Sequence, residues 1–136
     1  MTSYQMEAER QERLKSVNEL IILIASCGRK FFRYKNNIAR FEKSGERQKI
    51  WYIDRYTQKK VYPYPQAVGN PNFCEGHTLW CLVMDLRKYI MDGIQLVNLN
   101  SDYWGYHNED IKKIYDKAYS LGIVTENAKE KKVCFI

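Results

Sequence analysis

Apolar positions along this chain follow two different periods. Leu14, Val17, Ile21 and Ile24 recur at three and four residues, so the spacing predicts a helix over residues 5–26. Its glutamates gather early, at the positive end of the helix dipole, and Gly28 is a natural stop. Residues 20–25 are apolar all round, which predicts a buried end rather than a surface-lying helix. From residue 38 the period shortens. Ile38 to Lys43 alternates loosely, residues 44–47 (SGER) make a turn, and residues 48–56 are rich in β-branched and aromatic side chains. A second turn at residues 57–60 precedes VYPYP, where Pro63 and Pro65 confine a third strand to an edge. An antiparallel meander of two to four strands over residues 38–64 follows.

Helical spacing returns in the second half. Thr78 as N-cap and Gly93 as a left-handed stop bracket a helix over 78–92, with Leu79, Leu82, Val83, Leu86 and Ile90 on its core face. A third helix over 108–121 is capped by Asn108 and stopped by Gly122. Glu109 and Asp110 suit its positive end, and Ile111, Ile114, Tyr115, Ala118 and Leu121 face inward. Short strands fit around Ile123 and Val133. The fold class expected is α+β: one domain over residues 1–136, a small antiparallel meander with about three helices on one side. No tract repeats at a fixed period. Residues 66–77 read as a loop.

Charge changes this picture by locating a face. The net charge is +6, yet residues 29–60 alone carry eleven Lys and Arg against three acids, while residues 61–128 are near −3. The basic residues interleave with aromatics, as in RKFFRYK at 29–35. Arg29, Lys30, Arg33, Lys35, Arg40, Lys43, Lys49, Arg55, Lys59 and Lys60 are the candidate polyanion-binding set, since phosphates call for cations and bases for flat rings. The plainer reading is a solvated sheet face whose long side chains cover apolar surface. Phe31, Phe32, Phe41 and Trp51 are expected in the core rather than as base platforms. Trp51 and Ile53 alternate with Ile50 and Tyr52, so both sheet faces are partly apolar, and a homodimer interface would use such a face.

Other candidate chemistry is sparse. Cys74, His77 and Cys81 fall as C-x2-H-x3-C, three zinc-type ligands without a fourth. The plainer reading makes Cys81 a core cysteine on its helix. Tyr103, Trp104 and Tyr106 form an aromatic loop of the kind that anchors a partner, or a hydrophobic staple onto the third helix, which is the favoured reading. Asp54 with Gln58, Lys59 and Lys60 matches a metal-dependent nuclease poorly, because only one carboxylate is present. A Cys74/His77 nucleophile pair has no orienting third group. No G-x-S-x-G, H-E-x-x-H, P-loop or G-x-G-x-x-G occurs, so neither an enzyme nor a cofactor is expected. No apolar run is long enough to span a bilayer and the polar N-terminus is no secretory signal, which points to the cytosol and to four reduced cysteines. Cys134 stands third from the end, one place off a prenylation box.

Four stretches, IASCGRKFF (24–32), IARFEKSG with IWYIDRYTQKKVY (38–62), FCEGHTLWCLVMDLRKYI (73–90) and YWGYHNEDIKKIYDKAYSLGIV (103–124), resemble a family of small proteins carried by phages and other mobile elements. The resemblance implies Ser and Gly where Cys74 and His77 stand, and with that an accidental C-x2-H-x3-C spacing. It also implies a host context: a non-enzymatic protein that binds a host macromolecular machine, a defence or nucleic-acid-processing complex, in the manner of anti-CRISPR and other anti-defence proteins. Its partners would be a host protein or nucleoprotein complex, with no membrane. The alternatives are a direct DNA- or RNA-binding module built on residues 29–60, and a small zinc-binding domain.

Overall fold

The computed structural model describes residues 2–27, 31–43, 49–62, 72–73, 76–101 and 104–131. Helix α1 (Ser3–Ser26) starts two residues before the expected position. Thr2 and Gln5 form a capping box: the Gln5 N–H donates to Thr2 Oγ1 at 3.1 Å, and the Thr2 N–H donates back to Gln5 Oε1 at 2.8 Å. The apolar stripe behaves as its spacing requires, with Val17, Leu20, Ile21, Ile24 and Ala25 buried and Leu14 partly so. Burial all round residues 20–25 does not occur, because Ile22 is 55% exposed on the far side. Gly28 lies outside the described residues; Cys27 is the C-cap.

Two small antiparallel sheets follow. A hairpin pairs β1 (Arg33–Tyr34) with β2 (Asn37–Ile38). The meander β3 (Arg40–Lys43), β4 (Ile50–Ile53) and β5 (Lys60–Val61) lies in sequence order, with β5 on an edge as the downstream prolines predict. The expected SGER turn and Pro63 and Pro65 are outside the described residues. Register places Phe41, Tyr52 and Val61 side by side on one face, all buried in the main core. Glu42, Trp51 and Lys60 alternate onto the other face, which is more open; Ile53 shares it and is buried apart from the main cluster.

Helix α1 runs through the middle of the molecule, packing on α2 (His77–Asp92), α3 (Asn108–Ser120), β2 and β3. It is also hydrogen-bonded to β3 and to α2. Asn18 lies beside edge strand β3, where its Nδ2 donates to Phe41 O at 3.0 Å and its Oδ1 accepts from Phe41 N at 2.8 Å. One side-chain amide thus takes the place of a neighbouring strand. At the other end, Arg10 Nε donates to Met91 O at 3.0 Å and Arg13 Nε to Ile90 O at 2.9 Å. Helix α2 has no basic residue in its own last turn, so α1 supplies the cations that its negative end and orphan carbonyls favour. Gly93 ends α2 with φ 73°, the left-handed stop expected.

The N-caps of α2 and α3 differ from expectation. Gly76 and His107 occupy these positions with extended backbone and no side-chain cap bond, so Thr78 and Asn108 fall inside the helices. All five expected core residues of α2 are buried, joined by Trp80 and Tyr89. In α3, Ile111, Ile114, Tyr115 and Ala118 are buried and Leu121 partly so. The strand expected near Ile123 is a single parallel bridge, Leu96 to Val124. A fourth helix, α4 (Glu126–Lys131), follows it; Val133 lies outside the described residues.

Replacing Asn18 with Ala strands both backbone groups of Phe41 under α1. Chemical denaturation is expected to show a loss of about 1–3 kcal/mol, with Leu no better than Ala, because the deficit is unsatisfied hydrogen bonding rather than volume.

Candidate functional site

The basic segment folds into two adjacent turns and one open sheet face. Lys35 and Asn36 form a two-residue loop closing the β1–β2 hairpin, with Lys35 in the left-handed region at φ 54°. The second turn joins β4 to β5 and centres on Asp54, whose side chain is wholly buried. Asp54 Oδ2 accepts from the Tyr56 N–H at 2.9 Å and the Thr57 N–H at 3.1 Å. Gln58, at φ 55°, donates through Nε2 to Asp54 O at 3.1 Å and accepts at Oε1 from Arg40 at 3.1 Å. The two turns touch where Arg55 donates to Arg33 O at 3.3 Å.

This arrangement brings two tyrosines together. Tyr34 from the hairpin and Tyr56 from the second turn have ring centroids 4.8 Å apart, and they are 40% and 42% exposed. Lys35 Nζ stands 5.2 Å from the Tyr34 ring, and the Arg55 guanidinium is 4.7 Å from Tyr56 and 5.5 Å from Phe31. The open sheet face repeats the theme. Trp51 and Tyr62 meet edge to face at 5.4 Å. Lys60 lies 6.0 Å from Trp51; Lys49 and Arg87 approach Tyr62 at 5.4 and 5.0 Å, and Arg87 also donates to its hydroxyl at 2.9 Å. Cations stacked on rings keep their charge and part of their hydration, so the surface retains its positive field.

The ten sequence candidates therefore divide. Arg29 and Lys30 lie outside the described residues. Arg40 pairs with Glu42 at 2.7 Å and Lys43 with Glu7 of α1 at 2.6 Å, which withdraws much of their charge into local contacts. Arg33 bonds the Lys35 carbonyl, bracing the hairpin. Among the described residues, Lys35, Lys49, Lys59 and Lys60 form no ion pair, and Arg55 stacks as above. Phe32 and Phe41 are core residues as expected, whereas Phe31 and Trp51 are only half-buried. The rings presented to solvent are tyrosines, and Tyr56, Tyr62 and Arg87 were not among the candidates. The signal for Tyr56 was its place in a polar turn; for Tyr62 and Arg87, far apart in sequence, there was none.

The aromatic loop is built into the core. Trp104 is 6% exposed and packs on Phe31 at 5.2 Å and Tyr106 at 5.5 Å. The Tyr106 hydroxyl accepts from the Phe31 N–H at 2.5 Å and donates to Ile24 O at 2.9 Å. The loop is thus fastened to the end of α1 and the approach to the hairpin. Tyr106 also lies within electrostatic reach of Asp110 on α3, the helix where a staple was expected. Burial pushes the Tyr106 phenol up to about 12, against the Phe31 N–H, which favours the phenolate. Tyr103 lies outside the described residues. Of the zinc-type ligands, Cys74 and the His77 side chain are also outside them, and Cys81 is half-buried rather than a core residue. Among the described residues no three His, Cys, Asp or Glu side chains gather to hold a metal. Asp54 lies just past β4 rather than on the strand, with its carboxylate turned into the backbone it supports. No helix among the described residues is long and apolar enough to cross a membrane.

The YoqU family model matches residues 7–135 of the chain. The chain is also 35% identical over 120 residues to the SPbeta prophage-derived uncharacterized protein YoqU of Bacillus subtilis (strain 168), a match covering 85% of each. No solved structure matches it.

Asp54→Ala removes the acceptor for two amides in a buried turn. A loss of about 1–3 kcal/mol in urea denaturation is expected, with faster hydrogen exchange at Tyr56 and Thr57. Tyr106→Phe deletes both hydroxyl bonds. Because the folded pKa, about 12, lies above the ordinary 10.0, the neutral phenol's stabilisation is complete below pH 10 and is lost as pH rises towards 12. The stability gap between wild type and Tyr106→Phe, followed by thermal melts across that range, is expected to narrow.

Proposed function

Because the chain belongs to the YoqU family, which includes a prophage-derived protein, we propose that it is a non-enzymatic phage or mobile-element protein. It works by binding a host macromolecular machine, one that processes nucleic acid or serves in defence. The observation that carries this reading is the surface formed by the two turns and the open sheet face. Lys35, Lys49, Lys59 and Lys60 stand there without carboxylate partners among the described residues, and Lys35, Lys49 and Lys60 lie over tyrosine and tryptophan rings. Such a surface attracts polyanions over the range of a Debye length, about 8 Å in physiological salt. It serves equally for the nucleic acid of a nucleoprotein complex and for the acidic protein surface that nucleic acid would otherwise meet. The stiffness of the turns suits binding, since side chains held in place lose less freedom on association.

The test is capture of the tagged protein from bacterial host cells at moderate salt, read by native mass spectrometry. A stoichiometric host protein or nucleoprotein is expected on the wild type and absent from a Lys35→Glu, Lys59→Glu, Lys60→Glu variant that melts like the wild type. A bare wild-type mass, or a partner equally retained by the charge-reversed variant, overturns the reading.

A further inference from the structure

We propose that the Tyr34–Tyr56 pair is a stacking platform for unpaired bases, so that the ligand of this surface is single-stranded nucleic acid. The inference rests on the functional reading above and narrows it. Two tyrosines from different turns meet at 4.8 Å with their rings tilted by 52°, and both remain about two-fifths exposed. Core rings of the same segment, Phe32, Phe41 and Tyr52, are closed off from solvent, whereas this pair keeps about two-fifths of its surface open. The backbone around it is held in costly conformations. Of the four described non-glycine residues with left-handed φ, three belong to these two segments: Phe32 and Lys35 in the hairpin and Gln58 in the second turn. The buried Asp54 carboxylate and the Gln58 amide brace the second turn so that Tyr56 projects outward.

The cations over the two rings select the ligand. Lys35 stands at the Tyr34 ring and Arg55 at the Tyr56 ring, with Lys59 exposed in the same turn. A base that slides onto either ring takes the place of the cation lying over it and hands that cation its own phosphate, the pairing by which single strands are held without regard to sequence. A duplex hides its base faces in the stack and offers the rings nothing, although its phosphates still attract the lysines. An acidic protein surface likewise uses the cations and leaves the rings idle. The rings therefore separate the three ligands. Beyond the turn, Lys60 over Trp51 and Lys49 over Tyr62 continue the alternation of cation and ring along the open sheet face, a track for further nucleotides.

Fluorescence anisotropy of the full chain tests this, with a labelled oligonucleotide of about a dozen thymidines and a duplex of equal length at about 50 mM salt. The single strand is expected to bind at least about tenfold tighter than the duplex. Tyr34→Leu with Tyr56→Leu is expected to weaken it by about tenfold or more while leaving the salt dependence in place. Tyr34→Phe with Tyr56→Phe keeps the rings and is expected to restore binding, which also excludes misfolding as the cause. Lys35→Gln is expected to reduce the salt slope by about 0.7, the value of one phosphate contact on a single strand. Equal or tighter duplex binding, or full affinity in the leucine variant, overturns the proposal. So does a wild type that binds neither oligonucleotide. If that wild type still captures a host protein through Lys35, Lys59 and Lys60, the broader functional reading survives and only the single-strand ligand falls.

Discussion

The side-chain amide of Asn18 holds the helical layer to the sheet, and much of the rest follows from that attachment. An edge strand presents unpaired N–H and C=O groups, and β3 would do so toward α1. Asn18 answers both polar groups of Phe41 at once, from a helix whose next turns bury Leu20, Ile21 and Ile24. The sheet is thereby set at a defined position along α1. The same helix closes the C-terminal end of α2 with Arg10 and Arg13, and its Ile24 carbonyl receives the Tyr106 hydroxyl. Each bond alone is worth about 1 kcal/mol, and more for those with a charged donor. Spread along one helix, they place the sheet, the second helix and the aromatic loop relative to a single rod.

That rod leaves the two turns and the open sheet face uncovered. The hairpin emerges just beyond the end of α1, where the Ala39 N–H bonds the Phe32 carbonyl at 2.8 Å and Trp104 and Tyr106 pack against Phe31. The aromatic loop thus acts as the footing of the hairpin and not as a separate patch. Core and surface rings grade into each other, from Trp104 through Phe31 and Arg55 to Tyr56 and Tyr34.

Elements with strong periodicity were legible in the sequence: three helices with their core faces, the meander and its edge strand. What was not legible depends on contacts far apart in the chain or on backbone choices that residue type disfavours. Lys35 and Gln58 take left-handed φ without being glycine or asparagine, so nothing in RYKNN announces a hairpin and nothing in DRYTQ announces so firm a turn. Thr78 and Asn108 are good capping residues passed over because the chain enters the helices two residues and one residue sooner, at a glycine and a histidine. The cations that cap α2 sit some eighty residues upstream, beyond any local rule.

The candidate site shows the same division in sharper form. Charge is additive along a segment, so the excess of cations in residues 29–60 could be seen without a fold. Which cations remain available could not, since Arg40 and Lys43 differ from Lys35 and Lys60 only in having Glu42 and Glu7 within reach. Aromatic residues are ambiguous for a related reason. Phenylalanine gains from full burial and Phe32 and Phe41 take it, whereas a tyrosine keeps a hydroxyl that does well in water. In this segment Phe32, Phe41 and Tyr52 go fully inward and Phe31 halfway, while Tyr34 and Tyr56 stay at the surface and leave flat rings beside cations. This sorting makes the outer surface of a small basic sheet suited to a ligand that is itself part charge and part ring.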